Sequence, residues 1–462
     1  MAYLGNTPTT QSFISGTDYF NGTGSQTAFT LSRTVASIND IQVTVNNVVQ
    51  QPNDAYTISG TTLTMTSAPS AGTNNVYVRY LSTTTQAITP SQNTVSWNTL
   101  DSNIQQDLGV MYKNRIINGN MVIDQRNAGT SVTLTTDGTY TLDRWQTALS
   151  QASKFSVQQN AGSVTPPAGF ANYLGVTSLS AYTVGTGDYY SIRQKIEGFN
   201  TADLAWGTAN AKTVTLSFWV RSSLTGTFGG AIANSAQNRN YAFTYTISSA
   251  NTWEYKTVTI PGDTTGTWLT TNGVGIGLQF GLGVGSIYSG TAGSWGSSLL
   301  ISATGAVSIV GTNGATWYIT GVQLEVGTQA TTFTTAGGSY GAELNLCYRY
   351  YYKVKSAGTS YSNLGTGYNT STTTANVMVF FPVTLRTRPT SLETSGTAGD
   401  YAIAHTNTAT TCSAVPTYSA PSTEFQSLTI FTVSSGLTSG QGSRGCSELN
   451  NANAFLAWSA EL

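Results

Sequence analysis

An all-β architecture of tandem antiparallel β-sandwiches of jelly-roll type, with one short helical linker, follows from three features of this 462-residue chain. Thr is roughly one residue in six and Gly numbers 48, so β-branched side chains and turn formers dominate. Hydrophobic residues reach 39% and aromatics 11%, enough apolar material for packed cores. Apolar and polar residues alternate with period two in segment after segment, as in 213–221, 241–247 and 253–260. The length predicts about three domains.

Residues 1–85 read as a small sandwich, with strands at Ala28-Phe29-Thr30-Leu31, Ile41-Gln42-Val43-Thr44-Val45, Thr62-Leu63-Thr64-Met65 and Val76-Tyr77-Val78-Arg79-Tyr80. Residues 86–113 read as a linker and a short helix. Leu100, Ile104, Leu108 and Met111 fall on one helical face. So narrow a stripe needs a partner, either its own domain or two further copies in a parallel three-chain bundle. The flanking linker favours the bundle, hence a homotrimer. Residues 114–340 carry many alternating strands between Gly-rich turns and predict a two-sheet jelly roll. In this segment Trp145, Trp219, Trp253 and Trp317 are expected in the core. Residues 341–462 predict a further sandwich, opened by a strand across Leu346-Cys347-Tyr348-Arg349-Tyr350-Tyr351-Tyr352-Lys353 with rings on both faces.

Charge narrows the function. Only 8% of residues are charged, 19 basic against 20 acidic, so no field draws nucleic acid or an anionic membrane. No apolar run approaches a membrane span, and the opening MAYLGNTPTT does not read as a signal peptide. The one histidine, His405, excludes multi-His metal sites. It reads as a solvent or interface residue, with a shared metal on a trimer axis as the sharper alternative. Cys347, Cys412 and Cys446 form no disulfide framework and fit assembly in a reducing cytoplasm, with a Cys412–Cys446 pair left open. The Gly-rich 281–285 segment is followed by neither Lys nor a helix pattern and is no phosphate loop.

Several stretches resemble bacteriophage tail fibre and virion structural proteins. They are Asn114-Arg115-Ile116-Ile117-Asn118-Gly119-Asn120-Met121 with Ile123-Asp124-Gln125-Arg126-Asn127, then Tyr140-Thr141-Leu142-Asp143-Arg144-Trp145. Tyr318-Ile319-Thr320-Gly321-Val322-Gln323-Leu324-Glu325-Val326-Gly327 closes the same domain in that group. Glu343-Leu344-Asn345-Leu346-Cys347-Tyr348-Arg349-Tyr350-Tyr351 is similar to the junction that follows, and Phe455-Leu456-Ala457-Trp458-Ser459-Ala460-Glu461-Leu462 to a fibre C-terminus. The first 85 residues resemble the attachment domain of podophage fibres. The resemblance implies a homotrimer located in the virion tail. Its N-terminal domain would dock on a tail adaptor, nozzle or baseplate protein. Its central jelly roll would be similar to carbohydrate-binding modules, and its distal domain would touch a host surface polysaccharide or lipopolysaccharide.

Hydrolysis of a glycan needs two carboxylates flanking the bond. Here Asp143, Glu197, Asp203, Glu254, Glu325 and Glu343 are scattered, and no β-helical rungs recur, so catalysis is not expected. Asp143 and Arg144, beside Trp145, read as a packed ion pair at a strand end. The alternatives are a tailspike-like depolymerase, a head fibre or capsid-decorating protein, or a secreted modular sugar-binding protein. Sugars stack on aromatic rings and hydrogen-bond to amides and carboxylates. Loops carry binding, so the distal receptor-binding candidates are Tyr361, Asn363, Tyr368, Asn369, Asp400, Tyr401, His405, Asn407 and Tyr418. No cofactor is expected. A structural calcium is open, with Asp124, Asp143 and Glu325 as oxygen donors. With so little charge, glycan binding is expected to be nearly insensitive to salt.

Overall fold

The computed structural model describes residues 16–81 and 113–462. The stripe expected to trimerise, Leu100, Ile104, Leu108 and Met111, lies outside the described residues. The chain divides into two compact units, residues 1–101 and 102–462.

In the first unit, period-two alternation produces two small sheets. One runs in the order Thr17–Gly22, Gly72–Tyr80, Ile41–Val45, Val48–Val49, and the other Ala28–Thr30, Thr62–Met65, Tyr56–Ser59. Val43, Val76, Val78, Tyr56 and Leu63 are fully buried in its core. Asn46 and Asn47 both take positive φ, 48° and 67°, and join Ile41–Val45 to Val48–Val49 as a tight hairpin. Asn tolerates that region better than β-branched residues, so the turn fixes the register.

The second unit opens with two facing antiparallel sheets. The six-stranded sheet has the order Glu254–Ile260, Val214–Ser222, Thr316–Val326, Leu174–Ser178, Phe155–Gln159, Val132–Thr133. The seven-stranded sheet has the order Trp295–Gly296, Asn240–Ile247, Gly226–Ala233, Val274–Val284, Tyr189–Glu197, Trp145–Leu149, Tyr140–Leu142. Successive strands such as Leu174–Ser178, Tyr189–Glu197, Val214–Ser222 and Gly226–Ala233 alternate between sheets, which is jelly-roll winding. Trp145, Phe155, Phe218, Phe280 and Trp317 fill the space between them.

The distal part closes into a barrel rather than two facing sheets. Its strands run Asn363–Asn369, Thr374–Phe380, Gln426–Val433, Thr408–Tyr418, Tyr401–His405, Gly442–Ser447 and back to the first. Six strands demand tight curvature. Gly367 permits it, because a Cβ there would lie 1.7 Å from the Asn376 carbonyl oxygen. A three-stranded sheet of Tyr351–Lys355, Phe455–Ser459 and Glu393–Thr394 packs on the same core through Leu456 and Trp458.

The junction corrects one expectation. Residues 346–353 do not form one strand: an α-helix covers Tyr340–Tyr348, and the strand begins at Tyr351. The Ser339 hydroxyl accepts from the Ala342 amide and caps the helix. Glu343, in the first turn, accepts from the backbone N–H groups of Asn118 and Gly337 at 2.5 and 2.6 Å. The helix is thereby tied to the sandwich. No helix among the described residues is long and apolar enough to cross a membrane. The three cysteines are free and buried; the Cys446 thiol donates to the Ala402 carbonyl oxygen at 3.3 Å.

Sandwich and barrel share a buried polar joint. Arg144 pairs with Glu461 and lies 3.5 Å from the Tyr350 ring centroid. Arg126 reaches Glu461 at 3.2 Å and sits 3.7 Å from the Tyr351 ring centroid. Glu197 accepts a two-pronged grip from Arg349 at 2.9 and 2.6 Å and a further bond from the Tyr350 hydroxyl. Asp143 and Arg144 therefore do not pair. Arg144 has φ 69°, and Asp143 instead accepts from the Gln125 amide and side chain.

Burial pushes the Asp143 carboxyl up to about 7, against the opposing charge of Arg126 and the Gln125 bonds. The folded state then holds this proton more tightly than the unfolded chain, whose carboxyl stays near 3.8. This group stabilises the fold at low pH, and that contribution is lost as pH rises through about 7. Asp143→Asn is expected to flatten the fall in stability between pH ~4 and ~7. Urea midpoints of both proteins across that range test it.

Candidate functional site

Two clefts stand out in the second unit. The first lies on the outer face of the six-stranded sheet. Along Val214–Ser222, the residues Val214, Leu216, Phe218 and Val220 face the core, so Trp219 faces outward. It is directly opposite Tyr255 in the neighbouring strand, ring centroids 5.4 Å apart. Phe170 and Phe333 meet edge to face at 5.2 Å. The four rings line a cleft of about 700 Å³ with Thr331 and Thr332 on its rim. Trp219 is thus half-buried in a cleft wall, not a core residue, and Tyr255 is 42% exposed. Trp253 is half-buried too, its indole N–H donating to the Thr165 carbonyl oxygen.

The backbone beneath is shaped for these rings. The pairing of Val214–Ser222 with Thr316–Val326 slips between Ser217 and Trp219, leaving one extra residue on the partner strand. Gly321 occupies that bulge with φ 61°. A Cβ on it would lie 2.6 Å from Phe170 Cζ and 3.3 Å from Trp219 Cδ1. Gly321→Ala is expected to cost about 1–2 kcal/mol in backbone conformation alone and to displace the Phe170 ring. A lowered urea midpoint together with altered aromatic fluorescence would register both.

Glu325 holds the cleft wall. It is buried, accepts from the Thr331 amide and hydroxyl at 2.8 and 2.7 Å, and lies 3.6 Å from the Lys113 ammonium. Asp124 accepts from the amides of Asn127 and Gly129. With Asp143 on Gln125, the three candidate calcium donors serve separate protein partners. No group of three or more His, Cys, Asp or Glu side chains that could hold a metal is found among the described residues.

The second cleft lies on the distal barrel and measures about 780 Å³. The hairpin between Tyr401–His405 and Thr408–Tyr418 turns at Thr406 and Asn407, and Gly442–Ser447 runs alongside. This arrangement brings together three of the sequence candidates, Tyr361, His405 and Asn407, and adds Ser443 and Arg444. His405 Nε2 is 3.1 Å from Thr410 Oγ1. Among the described residues, no Asp or Glu lines either cleft.

The other candidates are dispersed. Asn363 and Tyr368 are exposed on the Asn363–Asn369 strand. Tyr401 is not a loop ring: it is fully buried in the barrel core, its hydroxyl donating to the Phe455 carbonyl oxygen. Asn369 is fully buried too, its amide nitrogen donating to the Thr438 carbonyl oxygen. Asp400 is buried and accepts from the Asn451 amide at 2.7 Å. Tyr418 packs on the core and donates to the Pro389 carbonyl oxygen. Sequence reasoning missed Phe170, Trp219, Tyr255, Phe333, Ser443 and Arg444. For Trp219 the signal was present in strand parity.

No family model matches the chain, and no curated relative does. Among solved structures, 47% of the chain is similar to 22% of the enzymatically active domain of tailspike protein 4 from bacteriophage CBA120, at 12% identity and TM-score 0.26. The match therefore spans under a quarter of that tailspike chain. A further 42% match covers 94% of a family 11 carbohydrate-binding module from Clostridium thermocellum in complex with a β-1,3-1,4-mixed-linked tetrasaccharide, at 12% identity and TM-score 0.21. A CBM4 structure is matched over 98% of its length by 46% of this chain, at 16% identity and TM-score 0.23.

Proposed function

We propose that this chain is a fibre-type adhesin that binds a cell-surface glycan without cleaving it. The observation that carries this reading is the exposed cleft walled by Trp219, Tyr255, Phe170 and Phe333. Sugar rings offer apolar C–H faces that stack on such side chains, and the exposed Thr332 offers a hydroxyl. The distal cleft supplies a second, more polar surface. Among the described residues that line the two clefts there is no Asp or Glu, and glycoside hydrolysis requires a carboxylate pair.

The fuller reading is a homotrimeric phage tail fibre. Its N-terminal unit docks on a tail adaptor, nozzle or baseplate protein, and its distal loops meet a bacterial surface polysaccharide or lipopolysaccharide. Exposed Phe380, Phe425 and Tyr368, at 67%, 63% and 52%, give the barrel apolar surface that neighbouring copies can cover. Several weak sites on one assembly then multiply avidity.

The test uses the full chain and isolated bacterial surface polysaccharides. Retention with no release of reducing ends, at a light-scattering mass near three times 48.6 kDa, is expected. Released reducing ends would replace the adhesin by a depolymerase. A monomer would remove the fibre while leaving sugar binding in place.

A further inference from the structure

The distal cleft contains a cation with nothing to neutralise it. Arg444 stands on Gly442–Ser447, paired with Ala404 on one side and Thr366 on the other. Its side chain is exposed and makes no hydrogen bond or ion pair among the described residues. By contrast, Arg115, Arg126, Arg144, Arg239 and Arg349 each hold a carboxylate. The Glu448 carboxylate, just past the same strand, already accepts from the Thr411 hydroxyl at 2.7 Å and the Leu449 amide at 3.1 Å.

The half-buried Tyr361 and His405 and the exposed Asn407 line the same cleft. A planar guanidinium matches a carboxylate or phosphate through two parallel N–H donors. The Tyr361 ring and the Asn407 amide in the cleft that holds this free guanidinium are complementary to a sugar that carries an anion.

On the footing of the glycan-binding reading, we propose that the distal cleft binds an anionic sugar unit, its carboxylate or phosphate held by Arg444 and its ring against Tyr361. The site is separate from the aromatic cleft. It departs from the salt insensitivity that the low overall charge predicts. Raising salt from 0.1 to 1 M shortens the screening length from about 10 to about 3 Å, so binding here weakens.

The experiment titrates the full chain with tetragalacturonate, its carboxyl-reduced neutral form and galactose 1-phosphate, at low and high salt. Wild type is expected to prefer tetragalacturonate over the neutral form by at least ~10-fold, in line with a charge-assisted pair. Arg444→Ala erases that preference, and Arg444→Lys keeps part of it. Tighter binding of galactose 1-phosphate than of tetragalacturonate, lost in Arg444→Ala, assigns the anion as phosphate. Equal affinity for charged and neutral forms, an Arg444→Ala preference unchanged from wild type, or no binding of either anionic probe overturns the proposal. Polysaccharide retention that still depends on Trp219 then leaves the adhesin reading standing, whereas its loss removes both.

Discussion

A Glu461→Gln chain is expected to lose about 3–5 kcal/mol of stability, the usual cost of stripping a buried ion pair of one partner. Glu461 is the carboxylate between Arg144 and Arg126, both nearly sequestered from water. Glutamine fills the same volume but leaves two buried guanidiniums without their counter-charge. Arg144 keeps the Lys195 carbonyl oxygen and the Tyr350 ring, which do not replace it. Urea unfolding, followed by tryptophan fluorescence, gives the size of the loss. A Glu461→Leu, Arg144→Met double variant should recover part of it, because it leaves one guanidinium, Arg126, without this carboxylate instead of two. A midpoint within experimental error of wild type would mean that the joint contributes specificity and not stability.

Trp219→Ala should weaken glycan retention by at least ~30-fold, the scale of a truncated aromatic hot spot. The indole lines the outer-face cleft, and its loss also deprives Tyr255 of its cross-strand neighbour. The fold should tolerate the change, since the side chain is outside the core between the sheets. Trp219→Phe should restore much of the binding. Surface-immobilised polysaccharide gives the affinity, and light scattering on the same samples gives the mass. Unchanged retention would sink the stacking role. A drop in mass together with lost retention would identify the cleft as a seat for a neighbouring copy.

Much of the fold was legible because strand alternation is a local signal. The 213–221 run marks its strand without knowledge of partners. The same run also shows where the reading stopped short. Core residues occupy the even positions, so parity assigns Trp219 to the outer face, and the general tendency of tryptophan to be buried obscured this. Barrel closure was not legible. It depends on Asn363–Asn369 pairing with Gly442–Ser447, far along the chain, and glycine-rich strands carry a weak pattern. The Tyr340–Tyr348 helix hid among aromatic residues that favour strands, although Ser339 and the Ala342-Glu343-Leu344 run are helix signals. At the distal cleft, the His405 and Asn407 turn was visible as a loop. Arg444 was not, because its significance lies in what fails to reach it, and that is a property of the folded surface alone.

The joint also sets an order of events during synthesis. Arg144 and its partner Glu461 are 317 residues apart. At about 5–20 residues per second, the ribosome delivers the carboxylate on the order of 15–60 s after the guanidinium. Throughout that interval the sandwich can zip its own sheets, yet its arginines must stay hydrated. The dry contact forms only when Phe455–Ser459 and the Glu461 that follows it arrive. Translation that stops short of residue 461 leaves the Arg144 and Arg126 guanidiniums wet and the sandwich unlatched at this joint.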